Sequence, residues 1–114
     1  MKIKKKYFHD NVCLIELPEY KDSRGLFMEI FHEKKMKILF KFSNFVQLNY
    51  AKSKQNVLRG LHFQKNKTSQ GKLIRVLNGS VFDVIVNLDK KSKYFKKTIS
   101  FHLNAKNQLL WVKS

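Results

Sequence analysis

A histidine and an arginine stand inside one apolar run, Val57-Leu58-Arg59-Gly60-Leu61-His62-Phe63. Histidine titrates near neutrality and serves acid–base chemistry, while arginine offers a planar fork of donors to an anionic group. A run this hydrophobic reads as a strand, whose alternation sends Arg59 with Leu61 to one face and His62 with Gly60 to the other. For both polar side chains to enter one pocket the strand must bulge, and Gly60 is the residue best able to supply the bulge. Taken alone, the segment reads equally well as a core histidine beside a surface arginine.

A second charged pair arises from a turn. Asn78-Gly79 is the dipeptide preferred by a two-residue type I′ hairpin, in which both residues take positive φ. That turn sets Leu77 opposite Ser80, Ile74 opposite Asp83 and Lys72 opposite Ile85. Lys72, Ile74, Val76, Val81, Asp83 and Ile85 then share one face, with Lys72 and Asp83 as diagonal neighbours. Asp83 is expected to keep Lys72 charged and aimed into a cavity.

Other reactive residue types read as ordinary. His9, His32 and His102 match no motif. His62 is followed by Phe63-Gln64, without the paired His-x-His spacing and carboxylate that a metal site of this kind would need, so no metal is expected. The single Cys13 lies in Val12-Cys13-Leu14-Ile15 and reads as a small buried hydrophobe. Arg75 alternates onto the face of Leu73 and Leu77 and receives no catalytic role.

The elements that must position these residues are mainly strands. Alternation marks Val12–Leu17, Leu26–His32, Phe45–Tyr50, Val57–Phe63, Lys72–Leu77, Val81–Leu88, Thr98–Leu103 and Gln108–Val112, with one helix over His32–Phe42. Asp22–Gly25 and Asn104–Asn107 read as turns, and Lys52–Asn56 and Lys65–Gln70 as polar loops. Many short strands with little helix predict an all-β sandwich or jelly roll. A chain of 114 residues that is 43% hydrophobic can bury a core, and residues 1–114 are expected to form a single domain.

The formal charge is +16, and all but Arg24, Arg59 and Arg75 of the 24 basic residues are lysines, scattered along the chain. Such a charge suits phosphate-bearing ligands, from nucleotide sugars to nucleic acid, and equally a solvated lysine-rich surface. The start, Met1-Lys2-Ile3-Lys4-Lys5-Lys6, is followed by Tyr7-Phe8-His9-Asp10 rather than by the apolar stretch of a signal peptide. No apolar run approaches a membrane span. A cytoplasmic protein with no membrane partner is therefore expected.

Several segments occur in a telling order: Asp22-Ser23-Arg24-Gly25, Phe27-Met28-Glu29, Phe45-Val46-Gln47-Leu48-Asn49, Arg59–Gln64, Lys72–Val76 and Phe82-Asp83-Val84. Together, from about Val12 to Val112, they resemble the dTDP-4-dehydrorhamnose 3,5-epimerase family. The resemblance implies a cupin-like antiparallel jelly roll, usually a homodimer that shares strands, with no cofactor. It implies epimerisation at C3 and C5 of dTDP-4-dehydro-6-deoxy-glucose in deoxysugar synthesis. It makes His62 the base and Lys72 the cation facing the enolate oxygen. By the same resemblance Arg59 is expected to contact the diphosphate, Gln47 and Asn49 the substrate, and Arg24, Phe27 and Glu29 to line the pocket; Gly60, through its bulge, and Asp83, beside Lys72, are expected to support them. These are fitting types, because a C–H beside a ketone needs a base near neutrality and a fixed positive charge where the oxyanion develops.

In the family the tyrosine acid lies beyond a tryptophan segment, here Leu109-Leu110-Trp111-Val112, and the sequence stops at Ser114. The chain is therefore expected to be the N-terminal portion of the fold, incomplete at its C-terminus. Two alternatives accompany this reading. One is a relative that only binds nucleotide sugar or a partner subunit. The other is a basic nucleic-acid-binding β domain, although no nucleic-acid-binding motif is present and specific nucleic-acid binding is not expected.

Overall fold

The computed structural model describes residues 1–40 and 44–114 and divides them into two compact units, Met1–Ile30 with Gln70–Ser114, and Phe31–Ser69. The first unit is built of antiparallel strands. β1 (Lys2–Tyr7), β2 (Val12–Glu16), β5 (Lys72–Ile74) and β8 (Gln108–Val112) form one sheet in the order β1-β2-β8-β5. β6 (Ser80–Val86) pairs with β7 (Thr98–Asn104), and β3 (Tyr20–Asp22) with β4 (Gly25–Phe27).

Alternation explains which residues face inward. On β7, Ile99, Phe101 and Leu103 point in while Thr98, Ser100 and His102 point out. Val12, Val76, Phe101, Leu103 and Leu110 are buried together, with Leu14, Ile74, Ile85, Ile99 and Val112 packed against them. The four-stranded sheet and the β6–β7 pair thus bury a shared core, as in a sandwich. β2 and β8 lie at the centre of their sheet and are buried on both faces, which is why Val12-Cys13 and Leu109-Leu110-Trp111 read as continuous apolar runs.

β1 was not expected as a strand, because four of its six residues are lysines. It is a sheet edge, where lysines discourage further pairing, and its register slips between Ile3 and Lys5. That bulge sets Ile3 opposite Ile15 and Tyr7 opposite Val12, on different faces although the two are four residues apart.

The expected Asn78-Gly79 hairpin does not form. β5 pairs with β8, with Lys72 opposite Val112 and Ile74 opposite Leu110, and β6 pairs with β7, with Asp83 opposite Phe101. Gly79 has φ +74, but Asn78 does not share the positive φ that a type I′ turn demands. The chain instead bends through Leu77–Gly79 from one sheet to the other. The shared inner face survives. Lys72 alternates with core-packed Ile74, and Asp83 lies between Val81 and Ile85 on the side of Phe101.

The second unit holds α1 (Glu33–Phe40), shorter than the expected helix, whose Lys41 and Phe42 lie outside the described residues. Met36 and Phe40 are its buried residues, and Lys37 pairs with Glu33 at 2.7 Å along its surface. The expected strands Phe45–Tyr50 and Val57–Phe63 are not strands here, and Leu26–His32 is strand only through Phe27. Their alternation is genuine, but a strand also needs a neighbour to pair with, and none pairs with these segments among the described residues. Val46 is 84%, Leu48 97% and Leu58 91% exposed, which large aliphatics adopt at a cost. No helix among the described residues is long and apolar enough to cross a membrane.

Candidate functional site

The candidate residues divide between the two units. In the first, Asp22 and Arg24 occupy the turn between β3 and β4. The Arg24 backbone N–H donates to Asp22 Oδ1 at 2.9 Å, and its Nη2 and Nε donate to Oδ2 at 2.6 and 3.1 Å. These bonds to the Arg24 side chain and backbone hold the Asp22 carboxyl below its ordinary range. The guanidinium, although committed to Asp22, stays open to solvent. Phe27 ends β4 opposite Tyr20, with ring centroids 6.3 Å apart, and is 69% exposed. Glu29 follows, partly buried.

Lys72 and Asp83 come from opposite sheets onto the same inner face. Asp83 is partly buried beside Phe101, and desolvation pushes its carboxyl pKa up, while the nearby Lys72 charge pulls it down. Burial is the stronger effect. The two form no direct ion pair among the described residues. The Lys72 charge thus reaches Asp83 across the sandwich rather than along a hairpin. Lys72 lies at the exposed start of β5, next to Gly71, whose α-carbon lies against the Trp111 indole. A Cβ on Gly71 would meet Trp111 Cη2 at 2.7 Å.

In the second unit, Gln47 Nε2 donates to Asn49 Oδ1 at 3.1 Å, as two residues on the same side of an extended segment can. Arg59 Nε donates to Ser53 Oγ at 3.1 Å, and its two terminal nitrogens have no hydrogen-bond partner among the described residues. The bulge expected at Gly60 takes a different form. Among the described residues there is no ladder here to be bulged, yet Gly60 breaks the extended path with φ +104, and a Cβ there would lie 3.2 Å from His62 Nδ1. Glycine at this position therefore sets both the backbone turn and the room beside the imidazole.

Arg75, given no role from sequence, carries a feature of its own. Its Nη1 contacts the Met28 sulfur at 3.8 Å, and its Nε is buried without a hydrogen-bond partner among the described residues. A guanidinium held partly out of water with no carboxylate among the described residues is costly unless an anion meets it. The signal in the sequence was its being one of three arginines in a lysine-dominated chain. Cys13 is buried as expected, its thiol 3.4 Å from the Asp10 carbonyl, and burial raises its pKa. Among the described residues no three His, Cys, Asp or Glu side chains gather as a metal site would require.

Comparison with known proteins gives this arrangement its context. The family model described as dTDP-4-dehydrorhamnose 3,5-epimerase matches residues 8–114. The chain is 41% identical over 104 residues to the dTDP-4-dehydrorhamnose 3,5-epimerase of Salmonella typhimurium, covering 90% of this chain and 57% of that protein. It is 39% identical over 105 residues to that of Escherichia coli, with the same two shares. Among solved structures, the Bacillus anthracis dTDP-4-dehydrorhamnose 3,5-epimerase, with TDP and PPi bound, superposes at a TM-score of 0.90 with 38% identity. That match covers 97% of this chain and 64% of the other. The Legionella pneumophila dTDP-6-deoxy-D-glucose-3,5-epimerase, in complex with dTDP-4-keto-L-rhamnose, gives 0.87 and 37%, covering 96% and 58%. The chain thus spans little more than half the length of the curated relatives it matches. Its antiparallel strands and short helix have the cupin-like jelly-roll fold of these enzymes. By sequence and fold together, the chain belongs to the dTDP-4-dehydrorhamnose 3,5-epimerase family.

Proposed function

We propose that this chain acts as a sugar-nucleotide 3,5-epimerase on dTDP-4-dehydro-6-deoxy-glucose in the cytoplasm. The observation that carries the reading is the placing of Lys72 and Asp83 on one inner face, in a chain matched by the family over residues 8–114. In this reading residues 1–114 are the N-terminal portion of one jelly-roll domain.

His62 takes the proton from the carbon beside the ketone, and the C–H electron pair moves into the C4 carbonyl to give an enolate. The Lys72 ammonium donates a hydrogen bond to the oxygen that gains the charge. A fixed donor at such an oxyanion is worth about 3–4 kcal/mol, and the base about 10²–10⁴-fold in rate. Asp83 sets an opposite charge near the Lys72 ammonium on the inner face. Return of a proton to the opposite face of the carbon inverts the centre. Arg59, whose terminal nitrogens have no partner among the described residues, takes the diphosphate, since arginine pairs two N–H groups with phosphate oxygens. Gln47, Asn49, Arg24, Phe27 and Glu29 contact the sugar and nucleotide. The chemistry needs no cofactor.

The reading includes a homodimer. The unpaired segments that carry Gln47, Asn49, Arg59 and His62 expose aliphatic side chains, and β3–β4 is an exposed two-stranded hairpin. Two strands alone are marginal in water, and pairing with a second copy would supply the missing neighbours.

Titration calorimetry with dTDP-4-dehydro-6-deoxy-glucose tests the reading. Saturable binding that weakens roughly tenfold or more in Arg59→Ala is expected, from the loss of charged hydrogen bonds. Absence of binding, or binding indifferent to Arg59, overturns it.

A further inference from the structure

The connection between β6 and β7 takes no part in the proposed chemistry, yet it is built with care. It carries Lys90, Lys91, Lys93, Lys96 and Lys97 within eight residues. A solvated lysine run would need no internal order, but this loop is fastened along its length. The Asn87 N–H donates to the Lys97 carbonyl at 2.9 Å, and its own carbonyl accepts from Lys96 N–H at 2.8 Å. Asn87 Oδ1 accepts from the Asp89 N–H, Asp89 Oδ1 from the Lys91 N–H and Ser92 Oγ from the Tyr94 N–H, at 3.0, 2.9 and 3.1 Å. The Tyr94 ring lies 5.6 Å from Phe8 and 5.0 Å from His9, which ties the loop to the β1–β2 turn.

Charge in this loop is left uncompensated. Lys4, Lys6, Lys21 and Lys37 each have a carboxylate partner, whereas none of the five loop lysines has one among the described residues. The only carboxylate of the loop, Asp89, turns one oxygen to the backbone N–H of Lys91. Lys93 and Lys96 lie over the rings of Tyr94 and Phe95 at 5.2 and 5.4 Å, which fixes their stems without neutralising them. Holding like charges together on a rigid loop is unfavourable in isolation and becomes favourable against an extended anionic partner.

We propose that the Lys90–Lys97 loop is a docking surface for an anionic membrane, contacting lipid phosphates through its five ammonium groups. Four features favour a membrane over nucleic acid. Lysines are point charges, and the loop presents no arginine and no free amide to read base edges, its Asn87 being buried and bonded. Its Tyr94 ring is already packed against Phe8 and His9 rather than free for a base to stack on. A loop joining neighbouring antiparallel strands is also a tip rather than a groove that tracks a backbone. Next to the lysines, exposed Leu88 supplies an apolar side chain for the headgroup region. The sequence-based expectation of no membrane partner rested on the lack of a spanning run, and surface docking by charge needs none.

Co-sedimentation with vesicles of phosphatidylcholine, with and without phosphatidylglycerol, tests this independently of any epimerase activity. Binding to the anionic vesicles, absent on pure phosphatidylcholine and lost with added salt, is expected. Each surface lysine is worth about fivefold in partitioning, so Lys93→Gln with Lys96→Gln lowers it about 25-fold, as does Lys90→Gln with Lys91→Gln. The charge-matched pair Lys2→Gln with Lys34→Gln should leave partitioning nearly unchanged. Equal losses in all three double variants would show that net charge alone acts and overturn the proposal. So would no binding to anionic vesicles, or binding to duplex DNA that outcompetes them at equal phosphate concentration.

Discussion

Gly71→Ala places one methyl group where the structure has no room for it. The added Cβ would lie 2.7 Å from Trp111 Cη2, 3.2 Å from Cζ2 and 3.4 Å from Cζ3. Trp111 cannot yield easily, because it is 4% exposed on β8, between β2 and β5, with Cys13 opposite on one side and Leu73 on the other. Overpacking of this kind costs about 1–3 kcal/mol. For a domain of this size each kcal/mol lowers Tm by about 4–8 °C, so a fall of roughly 5–20 °C is expected. The same clash pushes the start of β5, and with it Lys72, out of place. Thermal unfolding followed by circular dichroism measures the loss, and the emission of the single tryptophan reports the displaced indole. Gly79→Ala is the contrast. Nothing lies within 4 Å of its added Cβ, so only the φ of +74 is penalised, at about 1–2 kcal/mol, with tryptophan emission unchanged. A Gly71→Ala protein with wild-type Tm and emission would refute the packing argument.

Asp83 and Cys13 give further predictions. Asp83 has its pKa raised by burial, so the folded state holds its proton more tightly than the unfolded chain, and stability falls as pH rises from about 3.8 through the raised folded value. Asp83→Asn should remove that fall and raise Tm at neutral pH, while lowering any Lys72-dependent exchange; denaturant titrations across pH check the first and isotope exchange the second. Cys13 should resist a thiol reagent in the native state and react promptly in denaturant, because it is buried and its thiol pKa is raised; prompt native reaction would contradict its placement.

How much of this was legible in the sequence varies with the kind of interaction involved. The inner face was readable, since Ile74, Val76, Val81 and Ile85 alternate, and alternation survives whichever strand is the neighbour. The neighbour itself was not readable. Asn78-Gly79 signalled a local hairpin, but β8, far along the chain, takes the edge of β5 instead. Non-local pairing of this kind leaves no mark at the turn. Phe45–Tyr50 and Val57–Phe63 show the converse, with strand-like patterns but no partner strand among the described residues. Gly60 and Asp22–Gly25 were legible as backbone devices because glycine and aspartate act on their immediate neighbours. Roles for His62, Lys72 and Arg59 came from resemblance, as residue types alone left a core histidine and surface cations open. Arg75 went unassigned because burial of its Nε depends on packing against distant Met28.

The central claim, that His62 removes the proton beside the ketone while Lys72 stabilises the enolate, is tested most directly by hydrogen exchange. The purified chain is incubated with dTDP-4-dehydro-6-deoxy-glucose in D₂O, and deuterium at C3 and C5 is followed by NMR. The account predicts incorporation at these positions that is abolished in His62→Ala and slowed by about two to three powers of ten in Lys72→Ala, the loss of one oxyanion donor. Exchange that persists at the wild-type rate in His62→Ala would contradict it.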